Sequence, residues 1–598
     1  MQRRLACVVL LILGTAAAQK APVKSSKNAA PVAPKAAAPL TPERQVEAIL
    51  NTMTLHDRVA QLVMATCYGE GVGSKTAVFL KYRHWVEDLH IGGFIVANKA
   101  GRNGSIRTAE PHAMAILLNR LQRVSGRVPL IVGSDFERGS SMRVDGGTLF
   151  PYNMAYGAAG DLEATRFEGL TAAREARAVG VHWIFAPVAD VNSNPENPII
   201  NIRSYGEDPE IVAQHVAAYI DGAHSDPKHY VLVTAKHFPG HGDTNIDSHL
   251  NLARLDATRE HMDAVELKPF QAAIAHGADS VMTAHMAVPA VEPDDIPATV
   301  SSKVLTDLLR NELKFSGLVI TDAMDMQGLA LLFETGEASV RAIQAGADVL
   351  LMPPNPERSI AAVMAAVQKG RLTKERINES VRRILLAKWK LGLFKERYVN
   401  PETIFDSFGT AEADERAQQI SDRAVTIVRN TNTVVPLKDA DHACLVMLLR
   451  GRNSQYGEDL VKEFHKRAPH ASALFVDGSL PQAAMEVALG DTNSCSVLVL
   501  AAFVNVAAYR GNVALTGDLV PFAQKLTEGP VPVVFVALGN PYLLSLLPKA
   551  GASLATYSTT LPSELSAVKA LLGEIPGAGH LPVSIPEFAR IGEGLPIK

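Results

Sequence analysis

Between residues 57 and 355, short apolar runs recur at intervals too long for hairpins. They fall at 61–66, 92–97, 128–133, 181–187, 230–236, 279–284, 317–322 and 348–352. Mostly helical stretches such as 112–124 and 257–274 separate them. Eight buried runs alternating with helices predict a (β/α)8 TIM-like barrel, although a doubly wound open sheet has the same alternation. A helix over 373–393 carries Ile377, Val381, Ile384 and Leu385 on one face, which suits the outside of a barrel. A second block has runs at 443–449, 496–504, 531–538 and 553–558, alternating with helical segments such as 458–467. It predicts a smaller α/β sheet domain. The expected organisation is therefore a barrel over 41–397, a linker over 398–410 and a C-terminal α/β domain over 411–598. No internal repeat is visible.

The first forty residues do not fit this pattern. Arg3 and Arg4 precede the apolar run 5–13 and the small residues Thr15, Ala16, Ala17 and Ala18. That order predicts a signal peptide over 1–18 and an exported protein, periplasmic or secreted. The run is shorter than the roughly 20 apolar residues of a membrane span, and no later segment reaches that length. Cys7 stands at the start of the run, not at its end where a lipoprotein needs it. Residues 19–40 are rich in Ala, Pro, Lys and Ser and read as a linker.

Composition narrows the function less than the pattern does. Of 598 residues, 47% are hydrophobic and 20% charged, with a formal net charge of −4 and no basic stripe. A large core is expected, and nucleic acid and anionic membranes are not expected as partners. Oligomeric state stays open. The three cysteines beyond Cys7 (Cys67, Cys444 and Cys495) show no C-x-x-C spacing. Cys444 and Cys495 both lie in apolar runs and are read as buried free thiols rather than a disulfide.

The chemistry sits where the apolar runs end. One ends at Asp135, a second leads through Asp190 towards Arg203, and others end at Lys236-His237, His285 and Asp322. A single aspartate there is readily a helix N-cap; five such strand ends together point to a site in the βα loops. His285 and Asp190 fit a structural hydrogen-bonding role equally well and are not assigned to the site. The densest cluster, 236–249, contains His237, His241, Asp243, Asp247 and His249 among glycines and proline. His237, His241, Asp243 and His249 suggest a metal-dependent hydrolase, but no recognised ligand spacing is present, so no metal or cofactor is expected. The alternative is an acid/base pair in which Asp247 fixes the tautomer of His249 and raises its proton affinity.

The run Lys236-His-Phe-Pro-Gly-His-Gly-Asp-Thr-Asn-Ile-Asp-Ser-His249 closely resembles the K-H-F-P-G-H-G-D-T-x-x-D-S-H signature of glycoside hydrolase family 3, in its β-N-acetylglucosaminidase branch. Asp135-x-Glu137-x-Gly139-x-x-x-Arg143 resembles that family's first substrate loop. Asn197-Pro198 with Arg203-Ser204-Tyr205-Gly206, the strand running through Asp322 to Met326, and Gly539-Asn540-Pro541-Tyr542 match further pieces in the same order. The resemblance implies that Asp322 is the nucleophile, His249 the general acid/base and Asp247 its orienting partner. Asp135, Arg143, Arg203, Lys236 and His237 match sugar-binding positions. Phe136 and Arg138 depart from the family pattern and bear on substrate choice.

The implied activity is exo-acting hydrolysis of terminal β-linked N-acetylhexosamine from peptidoglycan fragments or chitooligosaccharides by a retaining double displacement. Lys236, Arg143 and Arg203 are expected to keep Asp322 ionised. An imidazole in place of an acid/base carboxylate leaves room for an anionic acceptor, so a phosphorylase on the same site is an alternative. A non-catalytic sugar-binding protein is another. With the acid/base in the barrel, the C-terminal domain is expected to be structural or to shape a distant subsite.

Overall fold

The computed structural model describes residues 41–100, 106–451 and 454–596. The signal-peptide and linker readings over 1–40 lie outside the described residues. From Pro42 onward the chain forms one compact unit.

All eight apolar runs of the first block are strands of one parallel sheet: β1 (Val63–Cys67), β2 (Gly93–Val96), β3 (Ile131–Ser134), β4 (Trp183–Ile184), β5 (Leu232–Phe238), β6 (Ser280–Thr283), β7 (Leu318–Ile320) and β8 (Leu350–Leu351). Their order is β7-β6-β5-β4-β3-β2-β1-β8, and a parallel bridge between Ile320 and Val349 joins the two ends. This is a TIM-like barrel. Its strands are buried on both faces, which is why they read as mainly apolar runs. The helix Lys374–Lys390 buries Ile377, Val381, Ile384 and Leu385, the face expected from its periodicity. The helix expected over 257–274 is instead two, Arg259–Ala264 and Leu267–Ala275. Pro269 has no N–H to offer the carbonyl of Val265, so the helical ladder breaks there.

The second sheet has six strands: β9 (Thr426–Asn430), β10 (Ala443–Leu449), β11 (Ser472–Asp477), β12 (Val497–Val504), β13 (Val533–Gly539) and β14 (Ala552–Ala555). The order is β9-β14-β13-β12-β10-β11, parallel throughout except for β9 against β14. The expected runs supply the four inner strands, whereas β9 and β11 are the edges and were not legible as apolar runs. Cys444 and Cys495 form a disulfide, with Cα atoms 5.7 Å apart, which corrects the reading of both as free thiols. They sit near the starts of the adjacent strands β10 and β12, so two thiols that looked merely apolar meet across the sheet. Cys67 is free and buried.

The two sheets share an interface. Met154, Ala155, Ala158 and Ile202 from the barrel pack into the same apolar cluster as Val446, Leu500 and Tyr542. Asn192 donates to the Tyr542 hydroxyl at 2.8 Å, and Glu207 accepts from the Ser584 N–H at 2.7 Å. These contacts bring the loop after β12 over the C-terminal mouth of the barrel.

Candidate active site

The mouth holds a cavity of about 610 Å³ lined by Asp135, Arg143, Arg203, Lys236, His237, His249 and Asp322, among others. Seven of the eight residues singled out in the sequence thus meet around one space, although they come from the ends of β3, β5 and β7 and from the loops after β4 and β5. Asp247, the eighth, stands behind His249 and orients it.

Lys236, at the end of β5, is only 2% exposed. Its ammonium lies 2.9 Å from Asp135 and 2.6 Å from Glu137. Arg143 completes the first pair by donating to Asp135 at 2.9 Å. Arg203 donates two hydrogen bonds of 2.8 Å to the two oxygens of Glu137. Burial favours the neutral acid at Asp135, but Lys236 and Arg143 outweigh it and hold its pKa at about 2. Glu137 is held well below the carboxylate range in the same way, by Arg203 and Lys236 against burial. Burial lowers the pKa of Lys236, but Asp135 and Glu137 outweigh it and raise it above the ordinary value. The result is a fixed ladder of charges along the cavity wall, suited to sugar hydroxyls. Glu137 stood in the quoted D-x-E run, yet its role as the clamp between Arg203 and Lys236 appears only in three dimensions.

His237 is set by Asp190. The Asp190 carboxylate accepts from His237 Nδ1 at 2.8 Å and from the backbone N–H groups of His237 and His241 at 3.1 and 2.7 Å. Arg203 Nη2 lies 3.3 Å from His237 Nε2. A guanidinium only donates, so the His237 proton belongs on Nδ1 and the Nε2 lone pair faces Arg203. Asp190 is therefore a positioning residue that the sequence flagged as a polar strand end without showing its partner.

The loop between β5 and β6 carries the second group. Asp247 accepts from His249 Nδ1 and from the His249 backbone N–H, both at 2.9 Å, which leaves Nε2 as the exchangeable position. Burial opposes ionisation of Asp247, but the His249 bonds and the Gly511 N–H bring its pKa below the usual value. The loop is docked on the segment after β7, where the Gly328 N–H donates to the Ser248 carbonyl at 3.1 Å. A Cβ at Gly242 would stand 1.6 Å from the Val191 carbonyl oxygen, so only glycine permits this close approach.

Asp322 follows β7 and accepts from the Ala323 N–H at 2.7 Å. Burial raises its pKa, but His237, His285, His249 and the Ala323 N–H bring it below the ordinary value. This corrects the expectation that Lys236, Arg143 and Arg203 do so, since those cations are engaged by Asp135 and Glu137. His285 Nε2 donates to the Ala323 carbonyl at 2.9 Å and so braces the backbone beside Asp322. Phe136 is buried, and Arg138 bonds Ser141 at 3.1 Å; neither lines the cavity.

The C-terminal sheet takes a direct part, which corrects the expectation of a distant or purely structural role. The loop after β12 supplies Val506 to Arg510 to the cavity wall. The Tyr509 ring meets that of His249 edge-on, with centroids 5.1 Å apart. No sequence pattern marked this loop.

The four histidines and aspartates of the metal reading do not converge. His237 turns to Asp190, His241 to Thr244 and His249 to Asp247, while the Asp243 carboxylate lies within 4.8 Å of His261 and Glu266. Two groups of side chains close enough to share an ion, His56–Asp57–His90 and Asp243–His261–Glu266, occur among the described residues, and neither lines the cavity.

Known proteins resemble this chain along most of its length. A β-N-acetylglucosaminidase/β-glucosidase of Cellulomonas fimi is 29% identical over 518 residues, spanning 83% of this chain and 88% of that protein. A β-hexosaminidase A of Pseudoalteromonas piscicida is 29% identical over 530 residues, or 78% of this chain and 85% of that protein. The solved structure of a glycoside hydrolase family 3 β-N-acetylglucosaminidase from Paenibacillus sp. str. FPU-7 is 32% identical with a TM-score of 0.79, covering 89% of this chain and 99% of that one. Residues 54–387, more than half of the chain, match the glycosyl hydrolase family 3 N-terminal domain. The chain therefore belongs to glycosyl hydrolase family 3 and is a glycoside hydrolase.

Proposed function

We propose that the protein is an exo-acting β-N-acetylglucosaminidase that removes terminal β-linked N-acetylhexosamine by a retaining double displacement. The observation that carries this is the His249 imidazole, bonded through Nδ1 to Asp247 at 2.9 Å, in the same cavity as the ionised Asp322. The names of the relatives support the amino-sugar substrate.

In the first step the Asp322 carboxylate attacks the anomeric carbon. The bond to the glycosidic oxygen breaks, and that oxygen takes the proton from His249 Nε2. Asp247 stabilises the imidazolium before transfer and keeps Nδ1 protonated after it. In the second step His249 Nε2 accepts a proton from water, whose oxygen attacks the anomeric carbon and releases Asp322. Asp135, Arg143, Arg203, Lys236 and His237 hold the sugar.

We place the enzyme outside the cytoplasm. The charged and apolar leader supports this, as does the Cys444–Cys495 disulfide, which persists in oxidising compartments. Release of p-nitrophenol from the β-GlcNAc and β-glucoside conjugates tests the assignment, beside Asp322→Asn. The expected result is turnover of the GlcNAc conjugate, loss of roughly three orders of magnitude or more in Asp322→Asn, and a β-anomeric product by NMR. No turnover of either conjugate by the folded protein overturns it.

A further inference from the structure

The cations of the cavity are almost all spent on the protein's own carboxylates. Lys236 and Arg143 hold Asp135, Arg203 and Lys236 hold Glu137, and Lys99 pairs with Glu70 at 2.7 Å. Arg510 is different. It lines the cavity, is exposed, and makes no hydrogen bond or ion pair among the described residues. It follows Tyr509, whose ring faces His249 and whose backbone is left-handed (φ +66°), a conformation uncommon outside glycine and enriched at functional sites. A second guanidinium stands nearby. Arg450 is held through Asn512 at 2.8 Å, and burial together with the charge of Arg510 lowers its pKa. Asp325 shares the cavity, but the charged groups that act on it are Asp322 and His249. Arg510 is thus a cation on the cavity wall that no carboxylate of the described residues pairs with, and it can attract an anion there.

Resting on the reading above, we infer that Arg510 binds an anionic group on the leaving-group side of the scissile bond, beside the proton donor His249. The ligand we assign is a carboxylate on the leaving sugar. A guanidinium takes a carboxylate through paired N–H donors, and a water-exposed rim lets the rest of a larger leaving group project outward. A neutral chitooligosaccharide offers this rim no charge, whereas a muropeptide fragment does. Arg510 is thus a specificity-determining residue contributed by the C-terminal sheet to a barrel active site.

The test uses the full mature chain and two disaccharides with the same terminal β-linked GlcNAc. One has GlcNAc as leaving sugar and the other its lactyl-ether acid. The readout is the ratio of kcat/KM for the acidic over the neutral substrate. The wild-type ratio is expected to exceed one and to fall as salt rises, since an exposed ion pair is screened. In Arg510→Gln the ratio is expected to fall roughly tenfold and to lose its salt dependence. Arg510→Glu, a charge reversal at an exposed position, is expected to push it lower still. A wild-type ratio near one, or a ratio unchanged in Arg510→Gln, overturns the inference while leaving the glycosidase reading intact. Failure to cleave p-nitrophenyl β-GlcNAc overturns that reading instead. In a parallel arm with inorganic phosphate, an Arg510-dependent sugar 1-phosphate would show that the anion is the acceptor, not the leaving group, and overturn the carboxylate assignment.

Discussion

Asp190 accepts the Nδ1 proton of His237 at 2.8 Å while also accepting the backbone N–H groups at both ends of the 237–241 turn. One fully buried carboxylate therefore fixes a side chain of the cavity and the start of the loop that carries His249. Asp190→Asn separates these roles. The amide oxygen still serves the backbone, but an NH2 facing Nδ1 forces the imidazole proton to Nε2, against Arg203. The expected outcome is a tenfold to hundredfold fall in kcat/KM with little change in melting temperature, and an inverted His237 tautomer by 15N NMR. Asp190→Ala leaves three buried donors unpaired and is expected to destabilise by roughly 3 kcal/mol or more.

Glu137 is the counter-charge for both Arg203 and Lys236. Replacing it with Gln leaves two buried cations short of a partner, which costs about 3–5 kcal/mol for a broken buried pair. A lowered urea midpoint for Glu137→Gln checks this; a midpoint equal to wild type would mean the pair contributes no net stability.

The same ladder sets an acid limit. Asp135 has its pKa lowered from 3.8 to about 2 in the folded state. A depressed carboxylate contributes stability that is fully present above its unfolded pKa and lost as pH falls through the folded one. The window is therefore pH 4 down to 2, and the amount about 2 kcal/mol. In Asp135→Asn the decline of stability across that window is expected to be shallower by about this amount, measured by thermal melts at stepped pH.

Where burial is complete on both sides, the chain advertised its structure. β1 to β8 and β10, β12, β13 and β14 read as mainly apolar runs because they are buried, and the buried polar exceptions such as Thr234, Lys236 and His237 in β5 are held by hydrogen bonds. The edge strands β9 and β11 were hidden by that same logic; Ser472, Ala473 and Phe475 in β11 are exposed. The helix break at Val265 needed Pro269 to be weighed against an otherwise amphipathic run. In the site, contiguous chemistry was legible: Lys236 to His249 spans the end of β5 and the loop that follows it. Relations across the fold were not. That Glu137 neutralises Arg203, that imidazoles and not Lys236 surround Asp322, and that Tyr509 reaches His249 from another sheet are facts of packing with no local periodicity to reveal them.

Cys444 and Cys495 close a loop with a sequence separation of 51. A cross-link of that span restricts the unfolded chain by roughly 3–4 kcal/mol in the chain-entropy treatment. The double variant Cys444→Ser/Cys495→Ser is expected to melt several degrees lower and to become indifferent to added reductant. A melt that reductant shifts equally in wild type and double variant would place the effect elsewhere.

His249 and Asp247 make a distinction that one substrate cannot reveal. A sugar leaving group has a basic oxygen and needs the proton from Nε2 as the bond breaks, whereas p-nitrophenolate departs without one. His249→Ala is therefore expected to lose about 100- to 10,000-fold in kcat/KM on a disaccharide and far less on p-nitrophenyl β-GlcNAc. On the activated substrate the defect moves to the second step, where water has lost its base. The glycosyl-enzyme on Asp322 should accumulate, give a burst of p-nitrophenol, and appear in the intact-protein mass. Azide needs no base to attack and should restore turnover by releasing a glycosyl azide. Asp247→Asn keeps the imidazole and an amide oxygen as acceptor for Nδ1, but removes the negative charge that stabilises the imidazolium, and should fall between His249→Ala and wild type on the disaccharide. Equal losses on both substrates in His249→Ala, with no burst and no rescue, would remove His249 from proton transfer and leave it a binding residue.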